Sequence, residues 1–250
     1  MAVIEVRELR RRYGDTVALD GVSFAVAEGE IFGLVGPNGA GKTTAVEIVE
    51  GLRPYDSGTV RVLGLDVRAD RQQLRERVGV QLQAAELPER MRVGEALELY
   101  AGFYRDPRPV GALLAEWRLA DKAKAQFRTL SGGQKQRLFL ALALVGRPEL
   151  VFFDEITTGL DPRARRAGWE LVRRVRATGV TVVLVSHLMD EVEALCDRVA
   201  VLDRGGVGAA GTPAELGAGA GVRTLDDAFL ALTGRSLDDE ADGAAELEVA

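Results

Sequence analysis

Cysteine and histidine occur once each in this 250-residue chain, as Cys196 and His187. A single cysteine excludes an internal disulfide and a cysteine-rich zinc site, and it suits a reducing compartment, most simply the cytosol. Long apolar runs are missing too. Near the middle of the chain the longest uncharged one is Leu138–Gly146, nine residues, about half of the ~20 that a membrane-spanning helix needs. Met1 to Tyr13 holds acids and arginines and no apolar stretch of signal-peptide length. The reading is a soluble protein with no membrane span of its own. A basic excess is also absent. Net charge is −6, and Asp238, Asp239, Glu240, Asp242, Glu246 and Glu248 account for all of it, which leaves a balanced body. Such a body argues against nucleic acid as a partner. No period of 20–50 residues repeats, which excludes solenoids and propellers. What is present is an ordinary globular composition, 47% hydrophobic and 28% charged, in a chain long enough for one large domain or two small ones.

The order of elements points to an α/β fold. Val3–Val6, Val17–Leu19 and Val22–Val26 read as strands, the last two separated by the turn pair Asp20-Gly21. Glu30–Val35 is a mostly apolar run of strand length. It is followed by a glycine-rich loop, a helix from Lys42 to Glu50 and a strand at Thr59–Val62. Residues 84–146 carry apolar positions at spacings of three and four, as in Val93, Leu97 and Tyr100, and read as amphipathic helices. The chain returns to strand at Leu150–Phe153. A helix follows Asp161-Pro162, with Asp as cap and Pro at the first position. Val180–Val185 reads as a buried strand, Leu188–Cys196 as a helix and Arg198–Leu202 as a strand. Thr212-Pro213-Ala214-Glu215 has the form of a capping box. Strands alternating with helices in both flanks predict a parallel-sheet core, with the helical middle inserted into it.

Three segments carry chemistry. Gly36-Pro37-Asn38-Gly39-Ala40-Gly41-Lys42-Thr43 fits the phosphate-loop pattern. Its glycines let the backbone approach phosphate oxygens, Lys42 brings a positive charge, the Thr43 hydroxyl suits a Mg²⁺ ligand position, and the helix start adds its positive end. Leu150–Glu155 is an apolar strand that delivers two acids at its C-terminal end, where open α/β sheets bind ligands. There Asp154 suits a Mg²⁺ site and Glu155 a general base for an attacking water. Leu130-Ser131-Gly132-Gly133-Gln134 has the capping-box form of a helix start. Glycines are unfavourable inside a helix, but here they leave bare backbone N–H groups at a positive helix end. The segment therefore reads either as an ordinary cap or as a second phosphate-binding surface.

Taken together and in this order, the segments resemble the nucleotide-binding subunit of an ABC transporter over residues 3–232. The resemblance implies a P-loop NTPase (RecA-like) core with an N-terminal antiparallel β-subdomain and an inserted α-helical subdomain at about 84–146. It also implies a short C-terminal extension at about 204–235, so that the nucleotide-binding domain spans 1–235. The 236–250 tail is left solvated and disordered. Walker A is then 36–43 with Thr44 beside it, the signature is Ser131, Gly132, Gly133 and Gln134, and Walker B ends on Asp154 and Glu155. Four further roles come from the resemblance. Tyr13 matches the aromatic that stacks on adenine. Gln83 matches the Q-loop glutamine, a metal contact, with Gln81 the competitor if the alignment slips by two. Asp161 matches the D-loop acid, and His187 the switch histidine. One residue departs from the family pattern: Ile156 stands where Pro usually follows the Walker B glutamate. Proline would restrict Glu155, so isoleucine is expected to relax it.

The resemblance further implies ATP and Mg²⁺ as cofactors and a head-to-tail pair of nucleotide-binding subunits, most simply a homodimer, each ATP lying between Walker A of one and the signature of the other. It implies a separate transmembrane permease and a cytoplasmic, peripheral location. Apolar residues such as Leu87, Met91 and Val93 either line the groove that receives the permease or pack inside the helical subdomain. The stretch Asp226–Gly234 suggests the drug- and antibiotic-export ATPases (ABC-2 type, daunorubicin-resistance-like). The alternative is a soluble ABC ATPase acting on DNA or the ribosome, but the span between Thr43 and Leu130 holds no sustained heptads and the chain has a single nucleotide domain. Arg10-Arg11-Arg12 and the arginines of 163–176 read as solvated faces.

Overall fold

The computed structural model describes residues 1–81, 86–158, 160–222 and 224–234. Gln83, Gly159 of the D-loop string and the 236–250 tail lie outside the described residues. The chain divides into two compact units, one of residues 1–71 together with 183 onward, the other of residues 72–182.

The first unit begins with two twelve-residue strands, β1 (Ala2–Tyr13) and β2 (Thr16–Ala27), paired antiparallel. Both are longer than the sequence pattern predicts. Asp20-Gly21 does not break β2, because its pairing with β1 absorbs the irregularity as register shifts. A second irregularity falls at Glu8, a non-glycine residue with φ 51°. Opposite it a Cβ on Gly58 would stand 2.5 Å from the Glu8 carbonyl oxygen, so only glycine lets the strands meet there. Next come β3 (Ile31–Val35), α1 (Lys42–Val49), β4 (Ser57–Val62) and the two-residue β5 (Leu65–Asp66), and the antiparallel sheet runs β2-β1-β4-β5. This is the antiparallel N-terminal β-subdomain that the resemblance implies.

The second unit takes up the chain within α2 (Arg71–Arg77) and continues through β6 (Val78–Gln81), α3 (Val93–Ala101), α4 (Val110–Glu116), α5 (Gly132–Ala143), β7 (Leu150–Asp154) and α6 (Pro162–Ala177). β6 and β7 pair in parallel, Gln81 opposite Phe153. Trp117, Leu113, Leu97 and Val93 are fully or almost fully buried and form the helical interior with Leu138, Leu140 and Val145. Leu87 and Val93 are among the buried residues, so they pack inside the unit rather than line an exposed groove. The apolar side chains that α3 and its end present to solvent are Leu99 and Phe103, the latter 70% exposed.

The rest of the chain is β8 (Thr181–Val185), α7 (Met189–Leu195), β9 (Arg198–Asp203), β10 (Gly206–Gly211), α8 (Pro213–Ala220) and α9 (Leu225–Thr233). In the first unit the strand order is β10-β9-β3-β8, with β3 and β9 parallel and β10 an antiparallel edge. β3 and β8 are buried along their whole length, which is why they read as continuous apolar runs instead of alternating ones. α7 packs so closely on β3 that a Cβ at Gly33 would lie 3.0 Å from Cys196 Sγ and 3.3 Å from Val192. Its burial pushes the Cys196 thiol well above the ordinary range, so this cysteine behaves as a core hydrophobe. β10, with the sequence GVGAAG, carries no strand signal of its own, and pairing with β9 makes it a strand. The capping box at Thr212 forms as expected: Glu215 N–H donates to Thr212 Oγ1 at 3.1 Å, and Thr212 N–H donates to Glu215 Oε2 at 2.8 Å.

A tight packing point in the second unit is Gly79 in β6, where a Cβ would sit 2.1 Å from the Ala143 carbonyl oxygen at the end of α5. No side-chain rotation relieves a clash with backbone. Gly79→Ala is therefore expected to destabilise the protein by about 1–3 kcal/mol or more, seen as a lower urea midpoint with an unchanged slope.

Candidate functional site

The phosphate loop follows β3 and opens α1. Two of its glycines are required by close approach. A Cβ on Gly36 would lie 2.3 Å from the Leu202 carbonyl oxygen of β9, and one on Gly41, at φ 99°, 2.5 Å from the Ala18 carbonyl oxygen of β2. Gly39, at φ 77°, has open space where a Cβ would be, and Asn38 and Gly39 are exposed at the crest. The Pro37 carbonyl accepts from Ala40 N–H at 3.1 Å, and the Ala40 carbonyl accepts from Gly205 N–H at 3.1 Å, which ties the loop to the β9–β10 turn. Lys42 is buried, and its ammonium donates to the carbonyls of Gly36 (2.7 Å) and Pro37 (3.0 Å). A buried charge is tolerable only when paired or hydrogen-bonded, and here the loop itself supplies the acceptors.

α5, α6, α8 and α9 start with a side chain accepting from the first turn. α1 begins without a side-chain cap, as α4 and α7 do, and Gly41, which precedes it, has no side chain to offer. Its first-turn amides have no side-chain cap, Thr43 is exposed, and a positive side chain lies beneath. These residues fit a polyphosphate.

Tyr13 ends β1 and is 38% exposed. The Arg11 guanidinium carbon lies 4.5 Å from the ring centroid, and Arg53 Nη1 donates to the hydroxyl at 3.4 Å. Burial alone would raise the phenol pKa, but hydrogen bonds from Arg11, Arg53 and Thr44 outweigh it and hold the group below its usual range. Arg11 departs from the expectation of a solvated arginine face. Its side chain is only 20% exposed, and it pairs with Asp56 at 2.8 Å.

His187 follows β8, half-buried. The turn that carries it is pinned by a buried pair that sequence reading passes over. Ser186 Oγ donates to Glu191 Oε2 at 2.7 Å and accepts from Leu188 N–H at 3.1 Å. Glu191 is fully buried, and an acid in the first turn of a helix gave no signal of that.

In the second unit Asp154 and Glu155 stand half-buried at the C-terminal end of β7. Glu155 has φ 49°, left-handed backbone that a non-glycine residue seldom adopts and that clusters at functional sites. Its carbonyl accepts from Thr158 N–H at 3.2 Å, and its Oε2 accepts from Thr158 Oγ1 at 3.4 Å. Ile156 is buried, and its carbonyl accepts from Gln136 Nε2 of α5 at 2.9 Å. Proline at 156 would push residue 155 toward extended backbone. Isoleucine imposes no such limit, and burial and the Gln136 bond restrain it instead. The contact is closely fitted: a Cβ at Gly168 of α6 would meet Gln136 Nε2 at 2.9 Å and Thr157 Cγ2 at 3.0 Å.

Ser131 caps α5 as predicted. Gln134 N–H donates to its hydroxyl at 3.4 Å, and Ser131 N–H donates to Gln134 Oε1 at 2.9 Å. Gly132 and Gly133 are exposed and would meet nothing if each carried a Cβ. Nothing in this chain's own packing calls for glycine there. Asp161 Oδ1 accepts from Arg163 and Ala164 N–H at 2.9 Å each, the cap expected ahead of Pro162. Thus Tyr13, the phosphate loop with Thr44, and His187 belong to the first unit. Ser131–Gln134, Asp154, Glu155 and Asp161 belong to the second.

A phosphate loop between a buried strand and a helix defines the P-loop NTPase class. The family model described as ABC transporter matches residues 19–158. A protein of Ralstonia nicotianae called Nod factor export ATP-binding protein I is 41% identical over 219 residues, covering 86% of this chain and 68% of that protein. The protein of the same name in Burkholderia orbicola is 42% identical over 218 residues, covering 85% and 72%. Among solved structures, an ATP-binding subunit of an ABC transporter superposes with a TM-score of 0.77 at 28% identity, over 97% of this chain and 99% of that one. A nucleotide-free ATP-binding cassette from an ABC transporter superposes with a TM-score of 0.76 at 23% identity, over 85% and 92%, which bears on the fold alone. The chain belongs to the ABC transporter family, as an ATP-binding domain. It is an ATPase of the kind coupled to transport, with ATP as its nucleotide.

Removing the amide of Gln136 leaves the buried Ile156 carbonyl without its donor. Gln136→Leu is expected to cost about 1–3 kcal/mol of stability, measured by chemical denaturation, whereas Gln134→Ala at the exposed cap costs about 1 kcal/mol or less.

Proposed function

We propose that this chain powers export of a small molecule (a drug, antibiotic or lipid-like compound) through a separate membrane permease, as an ATPase of the ABC-2, daunorubicin-resistance-like group. Its nucleotide-binding domain occupies 1–235, with a helical subdomain at about 84–146 and a C-terminal extension at about 204–235. The observation that carries the nucleotide half of this reading is the buried Lys42 ammonium held by its own loop beside a helix start without a side-chain cap. An incoming triphosphate exchanges two carbonyl acceptors for anionic oxygens, a stronger charge-assisted pairing. The names of the curated relatives support export, and among the described residues no helix is long and apolar enough to cross a membrane. The permease contact is assigned to the α3 surface around Leu99 and Phe103, which are exposed there. The chain would then sit peripherally on the cytoplasmic face.

In this reading Gly36, Pro37, Asn38, Gly39, Ala40 and Gly41 wrap the phosphates, Lys42 balances their charge, Thr44 closes the start of the helix, and Tyr13 takes the base. Mg²⁺ supplies Lewis-acid charge neutralisation when bound. Thr43 and Asp154 would be its protein ligands, with Gln83 as the further contact. Such a thin ligand set matches a cation that keeps most of its waters and leans on phosphate oxygens. Glu155 accepts the proton of the attacking water, and its left-handed backbone aims the carboxylate from a restrained loop. His187, on its pinned turn, holds the terminal phosphate. The second nucleotide-binding subunit, most simply another copy, adds Ser131, Gly132, Gly133 and Gln134 across the nucleotide, with Asp161 at the same interface. The exposed glycines that no internal packing requires support this assignment.

Glu155→Gln is expected to reduce ATP turnover by about 10²-fold or more while ATP still binds, and to accumulate an ATP-dependent dimer in analytical ultracentrifugation. Ser131→Arg on that background should return the protein to monomer without loss of ATP binding. Turnover unchanged by Glu155→Gln overturns the base assignment. A dimer unaffected by Ser131→Arg overturns the sandwich. Export stands on co-purification with a polytopic membrane protein from solubilised membranes, reduced by Phe103→Asp. Ribosomal or DNA-repair proteins in its place would overturn it.

A further inference from the structure

The aromatic assigned to the nucleobase does not stand alone. β1 places Arg11 two residues before Tyr13, with its guanidinium over the ring at 4.5 Å from the centroid. Three bonds to Asp56 fix the end of β1. Arg11 Nη1 donates to Asp56 Oδ1 at 2.8 Å, Arg12 N–H to Asp56 Oδ2 at 2.7 Å, and Asp56 N–H to the Arg10 carbonyl at 2.9 Å. Arg11 Nε is buried with no hydrogen-bond partner, so the guanidinium is held through its outer nitrogens and by the ring beneath it. The phenol hydroxyl is held from the other direction. Arg53 reaches it at 3.4 Å while paired with Glu47 of α1. The ring is thus backed by a cation and tied at its hydroxyl, through Arg53 and Glu47, to the helix that opens at the phosphate loop, and the residue is still 38% exposed.

We propose that Arg11, held by Asp56, is a positioning residue for the nucleobase: its guanidinium backs one face of Tyr13 and presents the ring ready-made for the base. The inference rests on the reading above that Tyr13 takes the base. A side chain already locked by its neighbours loses less freedom when a ligand arrives, and a guanidinium over an aromatic face is an attractive, planar fit. Arg11 acts through Tyr13, so its removal should weaken only ligands that have a base.

The test is calorimetric binding of Mg-ATP and of Mg-tripolyphosphate, which lacks base and ribose, to the full chain and to Arg11→Gln, Tyr13→Leu, the double variant and Asp56→Asn. Arg11→Gln is expected to weaken ATP binding about three- to tenfold and leave tripolyphosphate within about twofold. The double variant should be no weaker for ATP than Tyr13→Leu alone. Should Arg11→Gln not fold, Asp56→Asn carries the test, with a smaller loss confined to ATP. Equal weakening of both ligands, or additive losses in the double variant, means that Arg11 acts as a charge and overturns the inference. Unchanged ATP binding in Arg11→Gln when Tyr13→Leu weakens it overturns the inference alone. Unchanged ATP binding in Tyr13→Leu overturns the base assignment itself, and the inference with it.

Discussion

A buried ammonium held by the carbonyls of its own loop is the constraint on which the nucleotide half of this protein depends. Lys42 is held by the carbonyls of Gly36 and Pro37, and those carbonyls face inward only because the loop is folded back tightly. The tightness is enforced from outside. Gly36 lies against the Leu202 carbonyl at the end of β9, and Gly41 against the Ala18 carbonyl of β2. The irregular stretch of β2 at Asp20-Gly21 belongs to the same arrangement, since Asp20 N–H donates to the Gly205 carbonyl at 2.7 Å and Gly205 N–H donates to Ala40. A strand irregularity, a turn after β9 and two glycines therefore serve one purpose, which is to keep a positive charge close beneath a surface open to an anion.

The second unit solves a complementary problem. It must hold an acid in unfavourable backbone geometry without a proline to stiffen it. Glu155 has left-handed φ, a conformation that persists only where surrounding structure over-determines it. Here the surroundings are the buried Ile156, the amide of Gln136 on its carbonyl, and Gly168, whose missing Cβ leaves room for that amide. Gln136 lies on the helix that Ser131 caps. The helix whose start carries the exposed glycines therefore also steadies the loop of the acid, and a shift of that helix would be felt at Glu155.

Much of this was legible from residue spacing. The phosphate loop, the acid pair at a strand end, the Asp161 cap and the Thr212 capping box are short-range patterns, and each forms where its chemistry says it should. Other features were not legible, for a common reason. Between the two alternatives left open for Leu87 and Val93, burial decides for packing inside, and within α3 Val93 is buried while Leu99 is exposed, because a helix with apolar residues around much of its circumference does not announce which face meets the core. β2 continues through a turn pair because β1 lies beside it. β10 is a strand only because β9 has an edge to offer. Arg11 looked like one of three solvated arginines, and Asp56, forty-five residues away, makes it different.

Sequence alone determined the class of chemistry: which residues can cradle phosphate, which can hold a metal, and that an α/β framework presents them at strand ends. Those are properties of residue type and of spacings within about ten positions, where local geometry is nearly obligatory. Only the tertiary structure decided which glycines are there for packing and which are bare for another reason. It also decided how Glu155 is restrained when proline is absent, and what stands behind Tyr13. Each of these turns on an atom contributed from a distant part of the chain, at Leu202, Ala18, Gln136 or Asp56, and pairings at that range are set by the packing of whole elements.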